Sequence, residues 1–164
     1  MTIRIMETGD LAGAAEVHAD AFTRQTQSQQ WLECNLNAAP RFLCYVCEEQ
    51  GKIIGYIIWA QKSGFRPEAV MEIEQLAVHP EHQCQGVGRR LINESLPLVR
   101  QALAEQDSVL KHVIVSTRAD NHAQKLYRDT LDAEVEATLT NLYSADEVLM
   151  VARHVQPCPL GVYS

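Results

Sequence analysis

The residues with the most chemical potential lie between Glu72 and Ile92. The stretch reads Glu72-Ile73-Glu74-Gln75-Leu76-Ala77-Val78-His79-Pro80-Glu81-His82-Gln83-Cys84-Gln85-Gly86-Val87-Gly88-Arg89-Arg90-Leu91-Ile92. It begins as an alternating strand, passes through a glycine-containing turn and ends as the start of a helical repeat. Glycine lets a backbone turn tightly and approach a ligand closely. The first amides of a helix have no partner within it, and with the helix dipole they make an anion site. Arg89 and Arg90 sit where cations oppose that dipole, which an incoming anion would offset. Glu72 and Glu74 share a strand face about 7 Å apart, where they attract the cationic form of an amine and offer a proton acceptor.

Two phosphate-binding patterns are excluded. A P-loop needs Lys-Ser/Thr directly after its second glycine, and none occurs here. A dinucleotide fingerprint needs a third glycine near Leu91 and an acidic residue about twenty positions on, at a strand end. Neither is present.

The flanking pattern must position this turn. Ile3 and Ile5 suggest a short first strand. Leu11, Ala14, Ala15, Val17, His18, Ala21 and Phe22 recur at helical spacing, and a second helix carries Trp31, Leu32 and Leu36. Strands are expected at 41–48 and 52–61, joined by a hairpin turn at Gly51, and again at 71–78. In the third strand Met71, Ile73, Gln75 and Ala77 share one face, opposite Glu72, Glu74, Leu76 and Val78. A long helix follows, with Val87, Leu91, Ile92, Leu96, Val99 and Leu103 as its stripe and Pro97 expected to kink or shorten it. A strand at 109–116, a helix at 121–129 and strands at 134–140 and 148–154 complete the order. Hairpins preceding strand–helix–strand units imply an α/β fold, a mixed sheet with helices on both faces.

With its flanks, Gln83-Cys84-Gln85-Gly86-Val87-Gly88 closely resembles motif A of the GNAT family of acyl-CoA-dependent N-acetyltransferases, Gln/Arg-x-x-Gly-x-Gly/Ala after a strand ending in an apolar pair. Ile3 to Phe22 is similar to the family's opening strand and helix. Val113 to Tyr127 is similar to its later strand and helix, with Asn121, Ala123, Leu126 and Tyr127 resembling Asn-x-x-Ala-x-x-Leu-Tyr. Two departures stand out. Tyr127 is six residues after Asn121 where the family has seven, which puts Asp120 at the strict position. Thr130-Leu131-Asp132-Ala133 replaces the usual Leu-Gly-Phe.

The resemblance implies a GNAT-like mixed sheet of about six to seven strands flanked by about four helices, as one domain over 1–155 with an irregular tail at 156–164. It implies transfer of acetyl from acetyl-CoA to a primary amine, directly, in a ternary complex. Gln83, Cys84, Gln85, Gly86, Val87, Gly88 and Arg89 would hold the cofactor pyrophosphate. Leu76, Ala77 and Val78 would pair with the pantetheine arm like an added strand, and an amide near Leu76 would polarise the thioester carbonyl. Asn121 is a further cofactor-binding candidate. Glu72 aligns with the general base of the histone-acetylating branch, Glu74 is its alternative, and Tyr127 would protonate the departing thiolate. The acceptor is a small molecule or a peptide amine. A non-catalytic acyl-CoA-binding or sensing module is the alternative reading.

Composition narrows the partners. Fourteen Lys and Arg against twenty-one Asp and Glu give a net charge of −7, which disfavours a nucleic-acid partner. The longest apolar run, Ile53 to Ala60, is too short to span a membrane. The N-terminus lacks a signal-peptide pattern, and five irregularly spaced cysteines fit free thiols in a reducing cytoplasm. Cys44 and Cys47 are three apart on a strand and make poor joint ligands, so no metal is expected. A monomer or homodimer is expected.

Overall fold

The computed structural model describes residues 1–155. The expected irregular tail, 156–164, lies outside them. The chain forms two compact units, one of Met1–Ala60 and Glu74–Val99, the other of Gln61–Ile73 and the chain from Arg100 on. Strands β1 (Thr2–Ile5), β2 (Phe42–Glu49), β3 (Lys52–Gln61), β4 (Glu68–Val78), β5 (Val109–Arg118), β6 (Glu134–Leu139) and β7 (Glu147–Ala152) hydrogen-bond in the order β1-β2-β3-β4-β5-β7-β6. The pairs β1–β2, β2–β3, β5–β7 and β6–β7 are antiparallel, and β4–β5 is parallel. The helices are α1 (Leu11–Ala21), α2 (Ser28–Leu36), α3 (Val87–Ala104) and α4 (Ala123–Leu131). The mixed α/β sheet is as the sequence leads one to expect.

The first unit is built on one packed layer. Leu11, Ala14 and Val17 of α1 and Leu32 of α2 meet Cys44 and Val46 of β2, Tyr56 and Ile58 of β3 and Ala77 of β4. The apolar spacing on α1 follows the helical period, so one stripe faces the sheet. Trp59 lies on the other face of β3, where its indole Nε1 donates to Ser95 Oγ of α3 at 2.9 Å.

Helix α3 is not shortened at Pro97. It runs unbroken from Val87 to Ala104 through Pro97. An interior proline costs about 3 kcal/mol. Leu91, Ile92, Val99 and Leu103 are fully or almost fully buried, and each such side chain is worth about 1.5–3 kcal/mol. The stripe outweighs the proline, whose ring is exposed.

In the second unit the start of β4 pairs with β5, from Glu68 opposite Val109 to Glu72 opposite Ile114. Strand β4 therefore begins three residues before the alternation at Met71 marks it. Helix α4 begins at Ala123, two residues after the expected Asn121, because the Asn121 Oδ1 accepts the Ala123 amide at 2.9 Å. That local bond competes with helix at Asn121 itself. The helix ends at Asp132, whose φ is +58°.

Candidate active site

The turn between β4 and α3 is held at both ends. The His79 amide donates to the Ile54 carbonyl of β3 at 2.8 Å, and the His82 amide donates to the His79 carbonyl at 2.8 Å. His79 Nδ1 accepts the Glu81 amide at 3.2 Å, and the Gln83 side-chain Nε2 donates to the Val78 carbonyl at 3.2 Å. On its outer side His79 Nε2 lies 3.2 Å from Asp20 of α1. These contacts make His79 part of the framework of the turn, while His82 Nδ1 lies 3.8 Å from Glu49 Oε2.

Between these anchors the backbone turns twice through the left-handed region, at Cys84 (φ +62°) and Gly86 (φ +80°). The first intrahelical bond runs from the Arg90 amide to the Gly86 carbonyl at 3.0 Å. The amides of Val87, Gly88 and Arg89 precede it and have no intrahelical acceptor. A side chain built at Gly86 meets nothing within 4 Å, so its Cβ position opens outward. Gln83, Cys84, Gln85 and Gly86 are exposed, and Val87 is buried as the first residue of the α3 stripe. An open glycine with positive φ at a helix start fits a phosphate-bearing ligand.

Arg89 and Arg90 divide. Arg89 is exposed. Arg90 is bound by Glu94 one turn on and donates to the Met1 carbonyl at 3.0 Å. An i,i+4 carboxylate thus occupies the second arginine.

Strand β4 presents the other candidates. Ala77 is buried, Leu76 and Val78 are half-buried, and Glu74 is exposed. Glu72 is half-buried, and its Oε1 lies 3.3 Å from Lys62 Nζ. Glu72 thus has a cationic neighbour on the adjoining segment.

Tyr127 of α4 is buried, with 5% of its surface exposed. Burial disfavours the phenolate and pushes its pKa up to about 12. The phenol is a proton donor throughout the physiological range. Asn121 is exposed at the α4 start with its side-chain oxygen used as the cap. Glu74, Leu76, Ala77, Val78 and the Gln83–Arg89 turn belong to the first compact unit. Glu72, Asn121 and Tyr127 belong to the second.

Sequence reasoning missed one group of residues. Gln75, assigned only to the buried face of β4, accepts the Tyr56 hydroxyl at 2.6 Å and the Trp31 indole at 2.9 Å on its Oε1. Its Nε2 donates to Gln25 Oε1 at 3.3 Å. A glutamine between Ile73 and Ala77 on an otherwise apolar face was the available signal.

Cys44 and Cys47 are buried free thiols, and burial pushes their pKa values up to about 12 and about 11. Among the described residues, no group of three or more His, Cys, Asp and Glu is placed to hold a metal ion. No helix among them is long and apolar enough to cross a membrane.

The family model for the acetyltransferase (GNAT) family matches residues 7–131. The chain is 30% identical over 130 residues to the L-amino acid N-acyltransferase MnaT of Escherichia coli, covering 71% of this chain and 69% of that protein. Its fold is similar to the ribosomal-protein-S18-alanine N-acetyltransferase of Escherichia coli, with a TM-score of 0.71 and 22% identity over 96% of each chain. It is also similar to an aminoglycoside 6'-N-acetyltransferase complexed with coenzyme A, with a TM-score of 0.68 and 12% identity over 97% of this chain and 99% of that one. The family match spans most of the chain and includes the whole β4–turn–α3 segment, so this chain belongs to the acetyltransferase (GNAT) family and is an acyl-CoA-dependent N-acyltransferase.

Proposed function

We propose that the protein moves an acetyl group from acetyl-CoA directly to a primary amine in a ternary complex. The observation that carries this reading is the turn from Gln83 to Arg89, with its left-handed Cys84 and Gly86 and its exposed helix start. Those amides would hold the pyrophosphate, and Arg89 would add charge at the same end. Acetyl-CoA supplies the activated thioester. The backbone of Leu76 to Val78 would pair with the pantetheine arm, and an amide near Leu76 would stabilise negative charge on the thioester oxygen.

The attacking amine must be neutral, since an ammonium has no lone pair. Glu74 is the better proton acceptor of the two carboxylates. Its exposure lets water carry the proton away, and it stands two residues from Leu76, with Glu72 as the alternative. Tyr127, held protonated by burial, would return a proton to the departing thiolate. Asn121 is retained as a cofactor contact through its amide group, its oxygen being committed to the cap. The acceptor is a small molecule or a protein amine. MnaT is named for transfer to L-amino acids, which supports the small-molecule branch. The net charge of −7 supports a protein that acts without nucleic acid, and we take it as a cytoplasmic monomer or homodimer.

The test is acetyl-CoA turnover against a panel of primary amines, followed by free thiol release and by mass analysis of the acceptor. Amine-dependent release with an acetyl-sized mass gain is expected. CoA binding with no turnover on any amine would favour a non-catalytic acyl-CoA module.

A further inference from the structure

Arg100 of α3 is half-buried. Its Nη2 donates to the Val155 carbonyl at 3.0 Å, and the Val155 amide donates to the Lys111 carbonyl of β5 at 3.0 Å. The guanidinium bond uses one of several N–H donors. Among the described residues no carboxylate pairs with Arg100. Burial lowers its pKa and no acid opposes the shift, yet an arginine stays protonated. A cation stripped of part of its water gains from any anion that can reach it.

An anion can reach this one. Arg100, Lys111, His154 and Glu68, with Val109 and Leu110, line a cavity of about 240 Å³. All six belong to the second compact unit. Glu68, Val109 and His154 are exposed, so the cavity opens to solvent. Its charges do not cancel. Glu68 is the one carboxylate among the described lining residues. Lys111 Nζ lies 3.2 Å from Glu68 Oε2 and offsets it, which leaves Arg100 as the surplus. His112, beside the cavity, senses the same field. Its Nδ1 accepts the His154 amide at 3.0 Å, and the two rings meet edge to face at 4.9 Å. Burial lowers the His112 pKa first, and His154, Lys111 and Arg153 lower it further against Glu68. This positive pocket stands on a chain whose net charge is −7.

Size and charge restrict the ligand. The volume is below the range of about 300–1,000 Å³ usual for drug-sized molecules and cofactors. One surplus guanidinium matches one carboxylate, which its fork can hold through two parallel hydrogen bonds. Val109 and Leu110 offer an apolar wall. We propose that the cavity beside Arg100 binds a small monocarboxylate, with its carboxylate on Arg100 and its hydrocarbon body against Val109 and Leu110. The site goes beyond acyl transfer and does not depend on it.

The test titrates the full chain with benzoate and with benzamide, its neutral isostere. Binding is followed on the His112 and His154 imidazole NMR signals at constant ionic strength, with and without excess CoA. Benzoate is expected to shift both signals saturably and to bind at least about tenfold tighter than benzamide, the scale of one charge-assisted pair. Arg100→Gln is expected to weaken benzoate by about tenfold and to leave benzamide unchanged. Lys111→Gln serves if the first variant does not fold. It leaves Glu68 uncompensated at the cavity and is expected to weaken benzoate by about threefold. Absence of a saturable shift overturns the site. Equal affinity for benzamide overturns it too, as the mark of a neutral apolar hollow. Benzoate binding that survives both variants, or that excess CoA abolishes, places the anion elsewhere and overturns the proposal. Inorganic phosphate binding at least about tenfold tighter than benzoate overturns the monocarboxylate assignment.

Discussion

A Cβ at Gly55 of β3 would lie 2.9 Å from the carbonyl oxygen of Ala77 on β4. It would also lie 3.1 Å from Leu91 and 3.2 Å from Val87, both on α3. Gly55 is thus the point where the strand that carries the proposed pantetheine contacts and the helix that carries the proposed pyrophosphate site close on a third element. Two of the three neighbours are flexible side-chain ends, but the nearest is backbone and cannot rotate away. We expect Gly55→Ala to destabilise the fold by about 1–3 kcal/mol through overpacking. CoA affinity should weaken with it, since relief of the clash must shift Ala77 or α3. Equilibrium denaturation and calorimetric titration check this, and an unchanged midpoint would show that β3 yields freely.

Asp132 ends α4 in the left-handed region, with a φ of +58°. A non-glycine residue there carries a penalty of roughly 1 kcal/mol, less for Asp than for most. Asp132→Gly should raise stability by about 0.5–1 kcal/mol. Thermal unfolding is the readout, and a lower Tm would mean that the aspartate side chain makes a compensating bond.

Tyr127→Phe keeps the buried ring and removes the proton. Turnover should fall by about tenfold to a hundredfold, with little change in CoA affinity. Because burial raises the phenol to about 12, Tyr127 contributes no basic limb to the pH–rate profile below about pH 11. The linkage runs the same way for stability: a buried neutral phenol favours the fold below the ordinary tyrosine pKa, and that contribution is lost as pH climbs toward 12. Unchanged single-turnover chemistry in Tyr127→Phe would leave the side chain a packing residue.

Glu74→Gln should remove the acidic limb of the pH–rate profile, while Glu72→Gln should keep it. The Lys62 ammonium lies 3.3 Å from Glu72. The pair is partly exposed, with side-chain exposures of 38% for Lys62 and 17% for Glu72, so its loss should move stability by no more than about 1 kcal/mol. An acidic limb retained in both variants would assign the proton to water.

Much of this architecture was legible because its signals are local. The β3 run Lys52–Gln61 follows from its apolar residues and bounding turns, and α1 from its three-and-four spacing. The turn was legible because Gly86 and Gly88 follow a strand and precede a helical stripe. What escaped were long-range effects. Pro97 looks like a stop until the burial of Leu91, Ile92, Val99 and Leu103 is known. The early start of β4 comes from pairing with β5, forty residues on. The Gln75 cluster joins residues of α2, β3 and β4 and the segment before α2, and no spacing rule brings Gln25, Trp31 and Tyr56 to one side chain.

The central claim is that the backbone of the Gln83–Arg89 turn binds the cofactor phosphates, and Gly86 tests it most directly. Gly86→Ala and Gly86→Glu both impose a side chain at φ +80°, a shared strain of about 1 kcal/mol. Only glutamate also projects bulk and negative charge into the open space beyond. Calorimetric titration with CoA should show Gly86→Glu weaker than Gly86→Ala by at least tenfold at equal folded fraction. Equal affinity in the two variants, close to that of the wild-type protein, would contradict the assignment of the phosphate site.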